Sequence, residues 1–301
     1  MRFRKLGLVY CPDGSEPLMR AFAMPPTPVL QADGTIRVYF ASTDNDMVGR
    51  AFFVDLAPSD PCRILRRSPR PVLDAGKPDT FDRHGVNPTS VVRDGTDVRL
   101  YYVGYCRSAE TPYTLFTGLA LSRDGEHFVR AQDAPVLGPI EGERFFRTAP
   151  NVHRTGGRWR MWYVGGGRWT KHEGKPLPVY GLRYAESDDG IVWGPPRALI
   201  EPDEEAGQIG FGRPYVMPEG DGYRMFLSIR TVRGYSISHA RSHDGLSWHD
   251  WRHDIIPPSN SGWDSEMCCY AAAVGVGERE LVFYNGNGYG RTGFGVAVRE
   301  R

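Results

Sequence analysis

An excess of charge of either sign, paired cysteines and long apolar runs are all missing from this 301-residue chain. Its 37 Lys and Arg stand against 36 Asp and Glu, a formal net charge of +1. That balance argues against nucleic acid as the main partner, because neutralising phosphates needs a basic surface; a small neutral or singly charged ligand fits better. The five cysteines (Cys11, Cys62, Cys106, Cys268 and Cys269) are odd in number and include no C-x-x-C pair. Cysteine-held zinc is therefore not expected, and a reduced cytoplasm is the simplest setting. No Cys/His pattern surrounds Cys106 to mark it as a nucleophile. No segment approaches the length of a membrane span, and the opening Met1 to Tyr10 has no apolar run of signal-peptide length. No long amphipathic helical pattern is present either.

What the chain does have is glycine (36), proline (24), aromatics (12%) and a phrase that returns. Ser122-Arg-Asp-Gly125-Glu-His-Phe128, Ser187-Asp-Asp-Gly190-Ile-Val-Trp193 and Ser242-His-Asp-Gly245-Leu-Ser-Trp248 all read S-x-D-G-x-x-aromatic. Each follows an apolar segment, and Asp-Gly between two strand-like runs is a β-hairpin signal. A second series runs in phase: Arg37-Val-Tyr-Phe-Ala, Arg99-Leu-Tyr-Tyr-Val, Arg160-Met-Trp-Tyr-Val, Arg224-Met-Phe-Leu-Ser and Leu281-Val-Phe-Tyr-Asn. These are aromatic strand candidates, each preceded by a glycine-containing turn and another apolar strand.

The repeating unit is thus strand, tight turn, strand, longer loop, strand, hairpin, strand. Five units begin near Met24, Val86, Ala149, Gly212 and Met267. The first lacks the S-x-D-G phrase, and the fifth ends at its third strand, Gly293 to Val298. The missing outer strand is supplied by Arg4 to Tyr10, which removes exposed edges. The expected fold is all-β: a single five-bladed β-propeller over residues 1–301, closed by the N-terminal strand in the last blade. A pair of β-sandwiches is the alternative, against which the in-phase repeats argue.

In such a fold, ligands meet the face formed by the entrances to the innermost strands and the loops between second and third strands. Those segments carry Asp82, His84, Asn87, Glu143, Arg147, Arg213, Glu266 and Tyr270, with Asp44, Asp46, Arg168, Trp169, Lys171, Arg230, Asn285 and Asn287. Carboxylates, amides, guanidinium groups and aromatic faces together suit a sugar. Glycoside hydrolysis needs two carboxyl groups across the scissile bond, and Asp82, Glu143 and Glu266 are the candidate catalytic acids. The remaining residues are candidate substrate-binding groups. Asp82 also fits a turn cap, Glu143 a solvated loop and Arg213 a structural ion pair. Asp124, Asp189 and Asp244 read as turn chemistry. Asp44-Asn-Asp46 lacks the spacing and glycine of a calcium loop, so no metal and no cofactor is expected. The chain is expected as a monomer or weak homo-oligomer with a sugar or glycoside substrate.

The unit plan, the S-x-D-G hairpins and the polar strand entrances resemble the five-bladed propeller glycosidases, a superfamily of arabinanases, β-xylosidases, invertases, levansucrases and mannoside phosphorylases. More closely, Gly262-Trp-Asp-Ser-Glu-Met-Cys-Cys-Tyr270, Phe283-Tyr-Asn-Gly-Asn-Gly-Tyr-Gly-Arg-Thr-Gly-Phe-Gly295 and Lys5-Leu-Gly-Leu-Val-Tyr-Cys-Pro-Asp-Gly14 are similar to a bacterial branch often encoded beside polysaccharide or sugar-nucleotide biosynthesis genes. The resemblance implies a glycoside hydrolase-like enzyme acting on a glycoside or activated sugar. Two departures weigh on it. The first unit's inner strand, Met24-Pro-Pro-Thr-Pro-Val-Leu30, has no carboxylate where these glycosidases usually place an Asp, and the Asp-Pro-Asn and Glu-Cys motifs of invertases are absent. A transferase, lyase, cyclase or isomerase on the same fold, or a carbohydrate-binding propeller without catalysis, are the other readings.

Overall fold

The computed structural model describes residues 2–109 and 111–300. After β1 (Phe3–Tyr10), the strands β2 (Ala21–Leu30), β3 (Ile36–Thr43), β4 (Gly49–Leu56) and β5 (Ile64–Arg67) pair antiparallel in that order. The plan recurs with β6 (Gly85–Asp94), β7 (Asp97–Cys106), β8 (Thr114–Ser122) and β9 (Val129–Arg130). It recurs again with β10 (Phe146–Thr155), β11 (Arg158–His172), β12 (Lys175–Ser187) and β13 (Arg197–Ile200). The fourth unit has β14 (Gly210–Glu219), β15 (Gly222–Thr231), β16 (Gly234–Ser242) and β17 (His249–Arg252). The fifth has β18 (Cys269–Val276), β19 (Arg279–Asn285) and β20 (Phe294–Arg299), and its outer strand is β1, which pairs with β20 from Phe3↔Arg299 to Tyr10↔Phe294 with two register shifts on the way. The described chain is all-β apart from one tight turn over Asn287–Gly290. Short parallel contacts (Gly49↔Gly85, Phe146↔Leu115, Tyr180↔Gly210) link the first four units. Among the described residues no ladder reaches the fifth, so main-chain pairing leaves it a separate four-stranded sheet.

The second strands explain how the units hold together. Neighbouring residues on a strand point to opposite faces, and here both faces are buried. Tyr101 packs against Trp159 and Met161 of the following unit, whereas Tyr102 packs with Tyr39 and Phe53 of the preceding one. Trp162/Tyr163 and Phe226/Leu227 divide in the same way. Phe40 and Phe52 of the first unit share a cluster with Phe283 and Phe294 of the fifth. The doubled aromatics of the sequence are therefore one side chain for each neighbour.

The Ser-x-Asp-Gly phrases are turns with a second task. Ser122 Oγ accepts the Gly125 N–H at 2.9 Å, and Asp124 Oδ1 accepts those of Glu126 and His127 at 2.8 and 2.9 Å. Ser187/Asp189 and Ser242/Asp244 repeat this geometry. The main-chain donors hold the Asp189 and Asp244 carboxyls below the usual carboxylate range. Each turn then offers its glycine carbonyl to the preceding unit. Tyr39 donates to Gly125 O at 2.7 Å, Tyr101 to Gly190 O at 2.9 Å and Trp162 Nε1 to Gly245 O at 2.6 Å. The fourth unit has Phe226 at this position, which has no donor, and the unit after it has no Ser-x-Asp-Gly turn.

One sequence expectation shifts. The segment from Gly165 to His172, read as a loop, is strand: β11 and β12 pair out to His172↔Lys175. Glu173 and Gly174 close that hairpin with φ of 49° and 78°, the positive pair of a type I′ turn. The Gly165-Gly-Gly167 run disguised the strand, since glycine weakens strand interiors; a register shift between Gly165 and Arg168 absorbs it. Two of the glycine-containing turns sit on Gly95-Thr96 and Gly220-Asp221, with Asp94 opposite Asp97 and Glu219 opposite Gly222.

Two measurements follow. Tyr101→Phe leaves the buried Gly190 carbonyl without its donor and is expected to lower unfolding free energy by about 1–3 kcal/mol, read as a reduced urea midpoint with unchanged slope. His239 is buried and neither ring nitrogen has a hydrogen-bond partner among the described residues. Burial, then the charges of Arg224 and Arg241, push its pKa down from 6.5 to about 4. The unfolded chain therefore takes up that proton first as pH falls. The stability tied to neutral His239 is complete above pH 6.5 and drains away toward pH 4. His239→Gln is expected to flatten the dependence of unfolding free energy on pH across that window.

Candidate functional site

The five innermost strands, β2, β6, β10, β14 and β18, each carry a register shift against their partner. In four of them a residue at the bulge is left-handed: Phe22 at φ 64°, Ala149 at 52°, Arg213 at 42° and Tyr270 at 57°. Non-glycine residues occupy this region at a cost, and bulges re-aim side chains. Met24, Asn87, Ala149 and Arg213 each precede a proline, and Tyr270 stands in the corresponding place before Ala271. All five line a central chamber of about 100 Å³. Leu115, Tyr180 and Tyr235, from the third strands, line it as well, and with Met24, Asn87 and Tyr270 they also border a wider cavity of about 580 Å³.

The wider cavity is aromatic and cationic. Tyr105, Tyr113, Tyr180, Tyr235, Tyr270 and Tyr289 line it with Arg107, Arg230, His84 and Asn87, and no carboxylate of the described residues does. The Tyr180 and Tyr235 hydroxyls lie 2.7 Å apart, and Arg230 donates to Tyr180 at 3.4 Å. The same guanidinium lies 5.6 and 5.9 Å from the Tyr235 and Tyr289 ring centres, within cation–π range. Burial raises the Tyr235 and Tyr270 pKa values well above 10, so both are neutral phenols at neutral pH. The His84 pKa is lowered by burial and by Arg107 and Arg83. Its Nδ1 accepts the Arg107 main-chain N–H at 3.1 Å, which leaves neutral His84 with its proton on Nε2, a hydrogen-bond donor.

Of the three candidate acids, two are buried in ion-pair clusters that do not line the cavity. Asp82 is 0% exposed and accepts from Thr80 at 2.7 Å, Tyr102 at 2.8 Å and Arg130 Nε at 2.8 Å. Glu143 accepts from Arg147 and Tyr163 at 2.9 Å and from Arg183 at 3.1 Å. A third cluster has the same form: Asp264 accepts from Tyr284 at 2.9 Å and Lys5 at 2.7 Å. Acid and tyrosine are separated by 20 residues each time. This is a repeated strut between the entrance of a unit and its second strand. Glu266 is exposed on a loop whose main-chain N–H donates to Asn287 Oδ1 at 2.8 Å.

The binding candidates divide. His84, Asn87, Arg230 and Tyr270 meet at the cavity, and Arg213 lines the chamber beside it. Asp44 organises its own turn, accepting from the N–H groups of Asp46 and Val48 at 2.9 Å and from Arg50 at 2.7 Å. The Asp46 carbonyl accepts from Arg107 at 3.3 Å. Arg147 belongs to the Glu143 strut. Arg168 pairs with Glu204 on the surface, Lys171 is exposed on the β11–β12 hairpin, and Trp169 packs on Phe146 and Tyr113 at 5.0 Å. Asn285 donates to the carbonyls of Ala23 at 2.7 Å and Gly293 at 3.0 Å, joining the fifth unit to the first.

Tyr180 and Tyr235 escaped the sequence reading, although a signal for them existed. Leu115, Tyr180 and Tyr235 stand seven positions before Ser122, Ser187 and Ser242, so the turn phrase itself counts back to the cavity wall. A strut and a catalytic acid also predict different losses. Asp82→Ala strands Arg130 beside a buried void and is expected to cost about 3–5 kcal/mol of stability, measured by chemical denaturation; a mainly catalytic acid would leave stability near wild type.

No protein-family model matches the chain. Over 304 residues it is 34% identical to the uncharacterized protein Rv1502 of Mycobacterium tuberculosis, covering 100% of both chains. A glycosyl hydrolase from Bacteroides ovatus superposes with a TM-score of 0.74 at 14% identity, over 99% of this chain and 93% of that one. A structure from the GH130 family of mannoside phosphorylases, described as containing glycoside hydrolases that target β-1,2 mannosidic linkages in Candida mannan, gives 0.69 at 13% identity, over 99% and 93%. Likeness at such low identity speaks for the fold. By full-length similarity the chain belongs to the family of the mycobacterial protein Rv1502, and it carries the fold of the propeller-type glycoside hydrolases.

Proposed function

We propose that the whole chain forms one five-bladed β-propeller and that it is an enzyme of an activated, anionic sugar. Sugar is supported by the glycoside hydrolases and the mannoside phosphorylase family among its fold neighbours and by the six tyrosines of the cavity, whose rings suit the CH faces of a pyranose. The anion is the reading of one observation. Arg230, enclosed by Tyr180, Tyr235 and Tyr289, and Arg107 at the rim have no carboxylate partner among the described residues. Guanidinium groups held free of ion pairs at a cavity wall suit phosphate oxygens.

In this reading Arg107 and Arg230 hold the sugar's phosphate, and aromatic faces orient the ring. His84 donates from Nε2, and one of the Tyr180 and Tyr235 hydroxyls donates to the other at 2.7 Å, which leaves the accepting hydroxyl its own proton to donate. Such neutral donors stabilise charge developing on a departing oxygen. They do not activate water as a carboxylate base does, which favours group transfer, elimination or isomerisation over hydrolysis. A hydrolytic alternative rests on Glu266, whose loop is tied through Asn287 to the turn that carries Tyr289 into the cavity lining.

The test is a ligand panel followed by product analysis. A sugar 1-phosphate and a sugar nucleotide are expected to raise the melting temperature, and neutral disaccharides are not. Arg230→Met is expected to weaken binding of the anionic ligand by about 10- to 100-fold, the loss of one charge-assisted contact. Hydrolysis of a neutral glycoside that survives Arg230→Met and disappears in Glu266→Gln would overturn the proposal and favour the alternative.

A further inference from the structure

Arg213 has one unspent donor at the axis of the molecule. Its guanidinium carries five N–H groups. Nη1 donates to the carbonyls of Pro26 at 2.6 Å and Tyr270 at 2.8 Å, and Nη2 to the Thr27 hydroxyl at 2.8 Å and the Thr89 carbonyl at 3.5 Å. Nε is buried and has no partner among the described residues. The residue is 2% exposed and forms no ion pair with a described carboxylate. A charge removed from water without a counter-charge is costly, and burial accordingly lowers the Arg213 pKa to about 10. Lining the same chamber, Thr148 is 3% exposed, and its Oγ1 is the second buried polar atom there without a partner.

We propose that this chamber is a binding site for a small monovalent inorganic anion of halide size, held between Arg213 Nε and the Thr148 hydroxyl. The donor count selects the ligand class. Carboxylates and phosphates are recognised through two parallel guanidinium N–H groups, and both Nη atoms of Arg213 are committed to carbonyls and a hydroxyl. One N–H and one O–H remain, which suits a monatomic anion. The chamber volume of about 100 Å³ leaves room for such an ion with water.

The site would also complete a mechanical connection. Arg213 sits on β14 and bonds to β2, β6 and β18, so it joins the inner strands of the first, second, fourth and fifth units. Thr148 is on β10, the inner strand of the third. An anion between the two ties the remaining unit to the others and neutralises the buried charge. This proposal is independent of the sugar reading, since none of its groups depends on what the wider cavity binds.

Thermal unfolding of the wild-type protein in sodium chloride or bromide, with gluconate keeping ionic strength constant, tests it. A rise in melting temperature that grows with the logarithm of halide concentration and reaches about 5 °C at high halide is expected, together with an anomalous bromide peak beside Arg213 Nε in crystals grown with bromide. Thr148→Val keeps the shape of the side chain, removes one donor, and is expected to need about ten-fold more halide for the same rise; Arg213→Met is expected to abolish the response. If Arg213→Met does not fold, the Thr148→Val shift and the bromide peak decide the matter. A melting temperature indifferent to halide at constant ionic strength, or equal halide responses in wild type and Thr148→Val with no bromide peak, overturns the proposal.

Discussion

The interaction on which the rest of the architecture depends is the bond from an aromatic donor on one unit to a glycine carbonyl on the next. Tyr39, Tyr101 and Trp162 reach across an interface to Gly125, Gly190 and Gly245. The carbonyl is available because Ser and Asp side chains have already taken the turn's N–H groups. Turn and donor therefore form a two-part joint: the turn has no dock without the donor, and the donor would be a buried unsatisfied group without the turn. At these three interfaces the joint ties one four-stranded unit to the next.

Acidic residues serve a parallel purpose. Asp82, Glu143 and Asp264 are buried charges, each compensated by a cation and a tyrosine hydroxyl. Such clusters are sensitive to the loss of any member and contribute registration more than net stability. They brace the strand entrances from behind, leaving the cavity wall to phenols, guanidinium groups and one imidazole. The electrostatic character of the centre is thus positive in a chain whose formal charge is +1, because the compensating carboxylates point elsewhere.

Much of this was legible before any coordinates. The repeated four-strand plan, the hairpin phrases and the N-terminal strand alongside the last one follow from repeats that a strand period of two makes readable. The hairpin of β11 and β12 was not, since three consecutive glycines look like a loop when the compensating bulge is out of sight. The candidate site was legible by segment and only partly by residue. His84, Asn87, Arg213, Arg230 and Tyr270 came from stretches that meet at the cavity and chamber, while acid chemistry drew attention to Asp82 and Glu143, which lie in ion-pair clusters away from the cavity lining. The sequence does not display which way an entrance residue points. That direction is set by bulges at which the chain takes left-handed turns at Ala149, Arg213 and Tyr270, a conformation that propensity alone does not assign to such residues.

Those bulges separate two kinds of information along each inner strand. The ladder on either side carries the shared architecture, while the single residue before the proline or its counterpart is presented to the axis with little say in the pairing around it. Read around the molecule, the axis spells Met24, Asn87, Ala149, Arg213 and Tyr270, one letter per unit. A scaffold organised this way can change the chemistry of its centre one position at a time, and family members with an unaltered frame are free to differ in the word written down the middle.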